Sequence, residues 1–232
     1  MKIEVWSDFG CPFCYIGKRK LEKALNSFDH KEKIEVIYKS FELNPDAPLI
    51  ATDYGYEGFA KLKHVSVKQA KEMMDSVALS AKNYGLDYHM DKIQLVSTHK
   101  AHQLAKWART QKKEKALTEV LMHAYFTLGA NLAEDKVLLD LVEQVGLDRT
   151  AGQLVLEQKT FNGLVDEEIS EAQALGIRGV PFFVFDRKYA ISGAQPDEQF
   201  TQALKKSFAE ASSFEQINND DEHLCGPDGC AV

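Results

Sequence analysis

Strand-forming segments lie only towards the two ends of this chain, and a long helical stretch separates them. Residues 2 to 7 (Lys-Ile-Glu-Val-Trp-Ser) alternate polar and apolar and are rich in β-branched and aromatic types, which predicts a short strand. Ile16, Leu21, Ala24, Leu25 and Phe28 then recur at helical spacing, and residues 34 to 41 read as a second strand. Strand, helix and strand in about 40 residues make a βαβ unit. From about Glu57 to Gln173 the pattern is helical, with helices predicted at 66–84, 98–111, 113–128, 134–145 and 150–175, the last one broken. Strands resume at Phe182–Phe185 and Tyr189–Ser192 around an Asp186-Arg187-Lys188 turn, and a last helix runs from about Asp197 to Ala209. The expected fold class is α/β: residues 1–44 and 176–211 form one small domain, and 45–175 form a helical domain inserted into one of its connections.

Cys11-Pro12-Phe13-Cys14 falls directly after the first strand and at the start of the first helix, because proline is favoured at the first helical position. A bare C-x-x-C is ambiguous, since one half of a zinc site has the same spacing. Its position adds information. A helix N-terminus presents unpaired N–H groups and the positive end of the helix dipole, and both favour a thiolate. Cys11 at the mouth of the helix is the expected nucleophile, and Cys14, three residues on, is the expected resolving thiol that frees the substrate from a mixed disulfide.

Four cysteines occur in all, Cys11 and Cys14 near one end and Cys225 and Cys230 near the other. Close pairs in an intracellular chain read as redox or metal chemistry. The Cys225–Cys230 pair encloses Gly-Pro-Asp-Gly, a turn-forming run that brings two sulfurs together cheaply. It reads as a second redox pair that relays electrons to Cys11 and Cys14, with a clip on the terminus or a four-cysteine metal site as alternatives. Residues 212–232 have few apolar side chains and read as a flexible acidic tail. The net charge of −7 belongs almost wholly to that end, because no Lys or Arg follows Lys206. A net charge of −7 does not recommend a nucleic-acid partner, which would favour a basic patch, and the near-neutral remainder of the chain says nothing of substrate charge. No membrane span and no secretory leader are expected, and the reading places the protein in the cytoplasm.

Other residues have plainer readings. Ser97 and Thr98 look like a helix N-cap. His99 and His102 lie three apart on one helix, a weak metal spacing with no Glu or Cys to complete it, so no metal is expected. Asp8 is a turn residue or takes the Cys14 proton through water. Lys18-Arg19-Lys20 reads as a solvated helix face, Met73 and Met74 as core, and Phe13 as exposed between the two cysteines.

The opening Cys11-Pro-Phe-Cys-Tyr-Ile-Gly-Lys-Arg, Phe41-Glu-Leu-Asn-Pro, Ser97-Thr-His-Lys-Ala-His-Gln-Leu-Ala, Gly179-Val-Pro-Phe-Phe-Val-Phe and Ser192-Gly-Ala-Gln-Pro carry a resemblance. With the helical stretch between them, they resemble DsbA-type thioredoxin-fold proteins, and among these the FrnE-like subfamily. The resemblance implies a thioredoxin fold with a helical insertion and a cis Val180–Pro181 bond beside the C-x-x-C. Pro181 then joins Cys11 and Cys14 in the catalytic set, and Val180, Phe13 and Pro12 contact substrate. The implied activity is thiol–disulfide exchange with protein or low-molecular-weight thiol substrates, without a cofactor. Kappa-type glutathione transferases and 2-hydroxychromene-2-carboxylate isomerases share the architecture and supply the rival reading, but there the resemblance implies serine where this chain has Cys11. A peptide-binding chaperone is the third. The oligomeric state is left open.

Overall fold

The computed structural model describes residues 1–211. A four-stranded sheet runs in the order β2-β1-β3-β4. β1 (Lys2–Ser7) pairs parallel with β2 (Glu35–Ser40) through the crossover helix α1 (Pro12–Asn26). β3 (Phe182–Phe185) lies antiparallel to β1, with Val5 opposite Phe183, and returns as β4 (Tyr189–Ser192) through a tight turn. Successive side chains of a strand point to opposite faces. Ile3 and Val5 accordingly join Leu21 and Ala24 of α1 and Phe200 and Leu204 of α9 (Asp197–Ala211) in one core. Trp6 faces the other way and packs with Ala172 and Ile177.

Seven helices fill the connection from β2 to β3: α2 (Gly55–Lys63), α3 (Val67–Lys82), α4 (His99–Thr110), α5 (Glu114–His123), α6 (Asp135–Gln144), α7 (Arg149–Gln158) and α8 (Asn162–Ala174). Their core takes in Leu104, Leu117, Leu121 and Leu138, and it continues without a break into Cys11, Cys14 and Tyr15. Helix α1 therefore serves two cores, one with each half of its length. The two halves of the molecule are also joined by buried charge. Lys106 of α4 reaches Glu168 of α8 at 2.6 Å and the Tyr38 carbonyl at 2.8 Å, while Glu168 accepts from the Ser40 N–H at 2.7 Å. Burial brings the Lys106 ammonium down to about 8, against the pull of Glu168.

Three local expectations change. The helix predicted to reach residue 128 stops at His123 and widens into a π-helical turn, Ala124–Leu128, which closes on Gly129 at φ +68°. A Cβ at Gly129 would sit 2.6 Å from Lys92 Cβ, so only glycine fits this turn. Met73 is 49 % exposed, and only Met74 enters the core. Lys18 and Lys20 are buried rather than solvated. Lys18 bonds Glu119 of α5 at 2.5 Å and Glu22 at 2.6 Å, and Lys20 donates to the carbonyls of Ala194 and Gln195. Acceptors from α5 and from the loop before α9 replace the water that a lysine would otherwise need. Arg19 and Tyr15 also bind Glu119, and despite its burial this carboxyl is held down at about 2.

Candidate active site

Cys11 is the N-cap residue of α1, with Pro12 in the first turn and no side-chain capping bond. The Asp8 carbonyl accepts from the Cys11 N–H at 3.1 Å, and the Cys11 carbonyl from the Cys14 N–H at 3.0 Å. This turn winds the chain from the end of β1 into the helix and leaves the Cys11 sulfur at the dipole's positive end. Both cysteines are free thiols, and each is only 2 % exposed. Phe13 between them is 45 % exposed, as its place in the motif suggests.

The second wall of the site comes from the loop before β3. The Val180–Pro181 peptide is cis, and Cys11 Sγ donates to the Val180 carbonyl at 3.4 Å. Gly17 lets α1 approach this loop: a Cβ there would lie 3.0 Å from both Pro181 Cγ and Phe183 Cζ. Cys11, Cys14, Val180 and Pro181 are thus brought together, although about 170 residues separate the two segments. Cys225 and Cys230 lie outside the described residues.

Cys14 is one turn inside the helix. Burial raises its thiol well above the ordinary range, and the neighbouring Cys11 sulfur raises it further. The Ser7 hydroxyl and the Asp8 backbone N–H act in the opposite direction, as donors that favour a thiolate.

Asp8 has a larger place than its sequence suggests. It is 3 % exposed. Oδ1 accepts from the Gly10 N–H at 3.1 Å and the Thr98 hydroxyl at 2.7 Å, and Oδ2 accepts from the Leu43 N–H at 2.7 Å. Burial pushes its carboxyl up, but the adjacent His102 ring and these donors together hold it below the ordinary value. The carboxylate thus ties three segments together: the active-site loop, the strand-exit segment at Leu43 and the start of α4. Thr98 does occupy the N-cap position of α4, but its hydroxyl makes no cap bond because Asp8 takes it.

The insertion also grips the first turn of α1 from the other side. The Tyr88 hydroxyl donates to the Pro12 carbonyl at 2.8 Å, and its ring stacks on Phe126 from the π turn. Sequence reasoning did not single out Tyr88. Thr98 and His102 carried a legible signal, since positions four apart share a helix face and the matching stretch Ser97–Ala105 holds both. His99 has its ring nitrogens 2.6 Å from Glu42 Oε1 and 2.5 Å from Asn162 Oδ1. The Glu42 carboxylate holds its imidazolium above the ordinary value. Its role is to pin α4 to α8 and the 41–48 segment. Among the described residues, no three His, Cys, Asp or Glu side chains are grouped to hold a metal, and no helix is long and apolar enough to cross a membrane.

Comparison with known proteins agrees with this architecture. The chain is 36 % identical to a probable DsbA oxidoreductase of Streptomyces coelicolor, SCO1869, with a TM-score of 0.88 over 100 % of this chain and 99 % of that one. The Bacillus subtilis protein YwbO, whose function is uncharacterized, is 26 % identical over 208 residues, 87 % of this chain and 94 % of its own. A 2-hydroxychromene-2-carboxylate isomerase shares the fold, with a TM-score of 0.68 at 16 % identity over 92 % of this chain and all of its own. Residues 2–205 match the DSBA-like thioredoxin domain, and with that span the chain belongs to the DSBA-like thioredoxin family.

Proposed function

We propose that this protein is a thiol–disulfide oxidoreductase that uses Cys11 as nucleophile and Cys14 as resolving thiol. The observation that carries this reading is the placement of Cys11 at a helix N-cap, against the Val180 carbonyl, with a second thiol one turn below. A thiolate attacks a disulfide through a mixed-disulfide intermediate, which a nearby second thiol then opens. When Cys11 loses its proton, the Val180 carbonyl loses a donor and is free to accept an N–H from an extended substrate chain, in the manner of β-augmentation. Protein disulfides and small-molecule disulfides are the substrate classes, with exposed Phe13, Pro12 and Val180 as the contact surface. No bound cofactor is needed. Within the family the motif stretches support a FrnE-like assignment, and the setting we propose is the cytoplasm.

The test is reduction of insulin disulfides by dithiothreitol, with and without the protein. Cys11→Ser abolishes the catalysed rate, and Cys14→Ser accumulates a mixed disulfide visible as a mass increase. Full activity in Cys11→Ser refutes the assignment, and glutathione conjugation surviving in that variant favours the transferase reading instead. The relay by Cys225 and Cys230 belongs to the same proposal: replacing both by Ser slows turnover with an external oxidant, and an unchanged rate removes the relay.

A further inference from the structure

Beside Ser7, the last residue of β1, lies a small cavity of about 10 Å³ whose lining includes Ser7, Phe9, Tyr38, His102 and Thr118, together with the charged side chains of Lys39, Lys106 and Glu114. About 10–15 Å³ measured in this way holds one water, provided polar partners are present. Two are present and unsatisfied. His102 Nε2 and Thr118 Oγ1 are buried and have no hydrogen-bond partner within the protein. His102 is 3 % exposed, its ring rests against Phe9 with centroids 4.7 Å apart, and its Nε2 lies 3.6 Å from Asp8 Oδ1, outside bonding distance. Ser7 lines this cavity and is also the side chain that draws the Cys14 thiol towards thiolate, against the effect of burial.

We infer that His102 accepts the Cys14 proton through the Ser7 hydroxyl and one water in this cavity. This rests on the oxidoreductase reading above. In the step, the mixed disulfide between Cys11 and substrate is opened by Cys14. The proton of Cys14 passes through Ser7 and the water to His102 Nε2. The Cys14 sulfur bonds the Cys11 sulfur, the bond from Cys11 to the substrate sulfur breaks, and the substrate leaves as thiolate with the electron pair. The proton stays on His102, beside the Asp8 carboxylate, until the Cys11–Cys14 disulfide is reduced and Cys14 takes it back.

The neighbouring groups leave His102 as the acceptor. The Asp8 carboxylate already accepts three bonds, from Gly10, Thr98 and Leu43. Lys106 is held by Glu168 and the Tyr38 carbonyl. Glu114 of α5 is held by Arg109, and Lys39 of β2 turns to Glu171. The remaining titratable group, the Tyr38 hydroxyl, is a phenol that burial keeps protonated.

The experiment mixes the reduced full-length chain, with Cys225→Ser and Cys230→Ser in every protein compared so that Cys11 and Cys14 are its only thiols, with an aromatic disulfide, dithiobis(nitrobenzoate), and follows the absorbance of released thiolate. Attack by Cys11 releases the first equivalent and resolution by Cys14 the second. In His102→Gln the first phase keeps its rate, while the second slows about 100-fold and rises about tenfold per pH unit, because the proton must now leave to hydroxide. Should that variant fail to fold by circular dichroism, Ser7→Ala must show the same slowed second phase. A second phase of wild-type rate and pH profile in either folded variant overturns the relay. Absence of the first phase from the wild type overturns the oxidoreductase reading instead.

Discussion

The Thr98 hydroxyl donates to Asp8 Oδ1 at 2.7 Å, with both residues buried. This bond joins the loop that delivers Cys11 to the first turn of α4, so the reactive loop and the helical insertion are held in one register.

Removing the hydroxyl tests that coupling. Thr98→Val keeps the shape but deprives a buried carboxylate of a donor, which costs about 1–3 kcal/mol. Thr98→Ser restores the bond and recovers most of the loss. Urea unfolding of the three proteins measures it, and equal midpoints would show that the bond adds nothing.

Acid should act through Asp8 in a defined direction. Its carboxyl is held below the ordinary value of 3.8 in the folded chain. A group of this kind contributes stability that is complete above the unfolded value and is lost as pH falls through the folded one. Wild type should therefore exceed Asp8→Asn in stability at neutral pH, and the gap should narrow below about pH 4. A gap that stays constant down to about pH 2 would contradict the ionised, fully bonded state of Asp8.

The two thiols should separate under alkylation. Because burial keeps Cys14 protonated, brief treatment of the reduced protein with iodoacetamide at neutral pH labels Cys11 and leaves Cys14 unlabelled. Peptide mass spectrometry reads the ratio, and equal labelling would refute it.

Gly17 offers a packing test away from the sulfurs. A methyl group there meets the rings of Pro181 and Phe183 at 3.0 Å, tighter than ordinary contact. Gly17→Ala should destabilise the protein by about 1–3 kcal/mol, despite the higher helix propensity of alanine. A rise in melting temperature would mean that the loop yields without cost.

The sheet, the order of helices and the Cys11–Cys14 motif were legible in the sequence because each rests on local pattern. Period-two alternation marks residues 2 to 7, and Pro12 after Cys11 marks a helix start. Long-range pairing left weaker marks. Asp8 looks like a turn residue until Leu43 and Thr98 arrive from elsewhere in the chain to bond it. The lysines at 18 and 20 look like surface until their acceptors on α5 and in the loop before α9 are known. His102 reads as half of a poor metal motif, and only the cavity beside its Nε2 gives it a different meaning.

The pairing of Ile3 with Phe185 sets a timetable for biosynthesis. Translation delivers Cys11 early and Val180 late, and the helices of the insertion emerge in the interval. At about 5–20 residues per second, the thiols spend on the order of 10–30 s on the ribosome before their carbonyl neighbour exists. During that time neither the peptide-holding edge nor the finished sheet is available. A nascent chain therefore carries a C-x-x-C without the groove that would select its substrates, and selectivity arrives only as the last strands leave the exit tunnel.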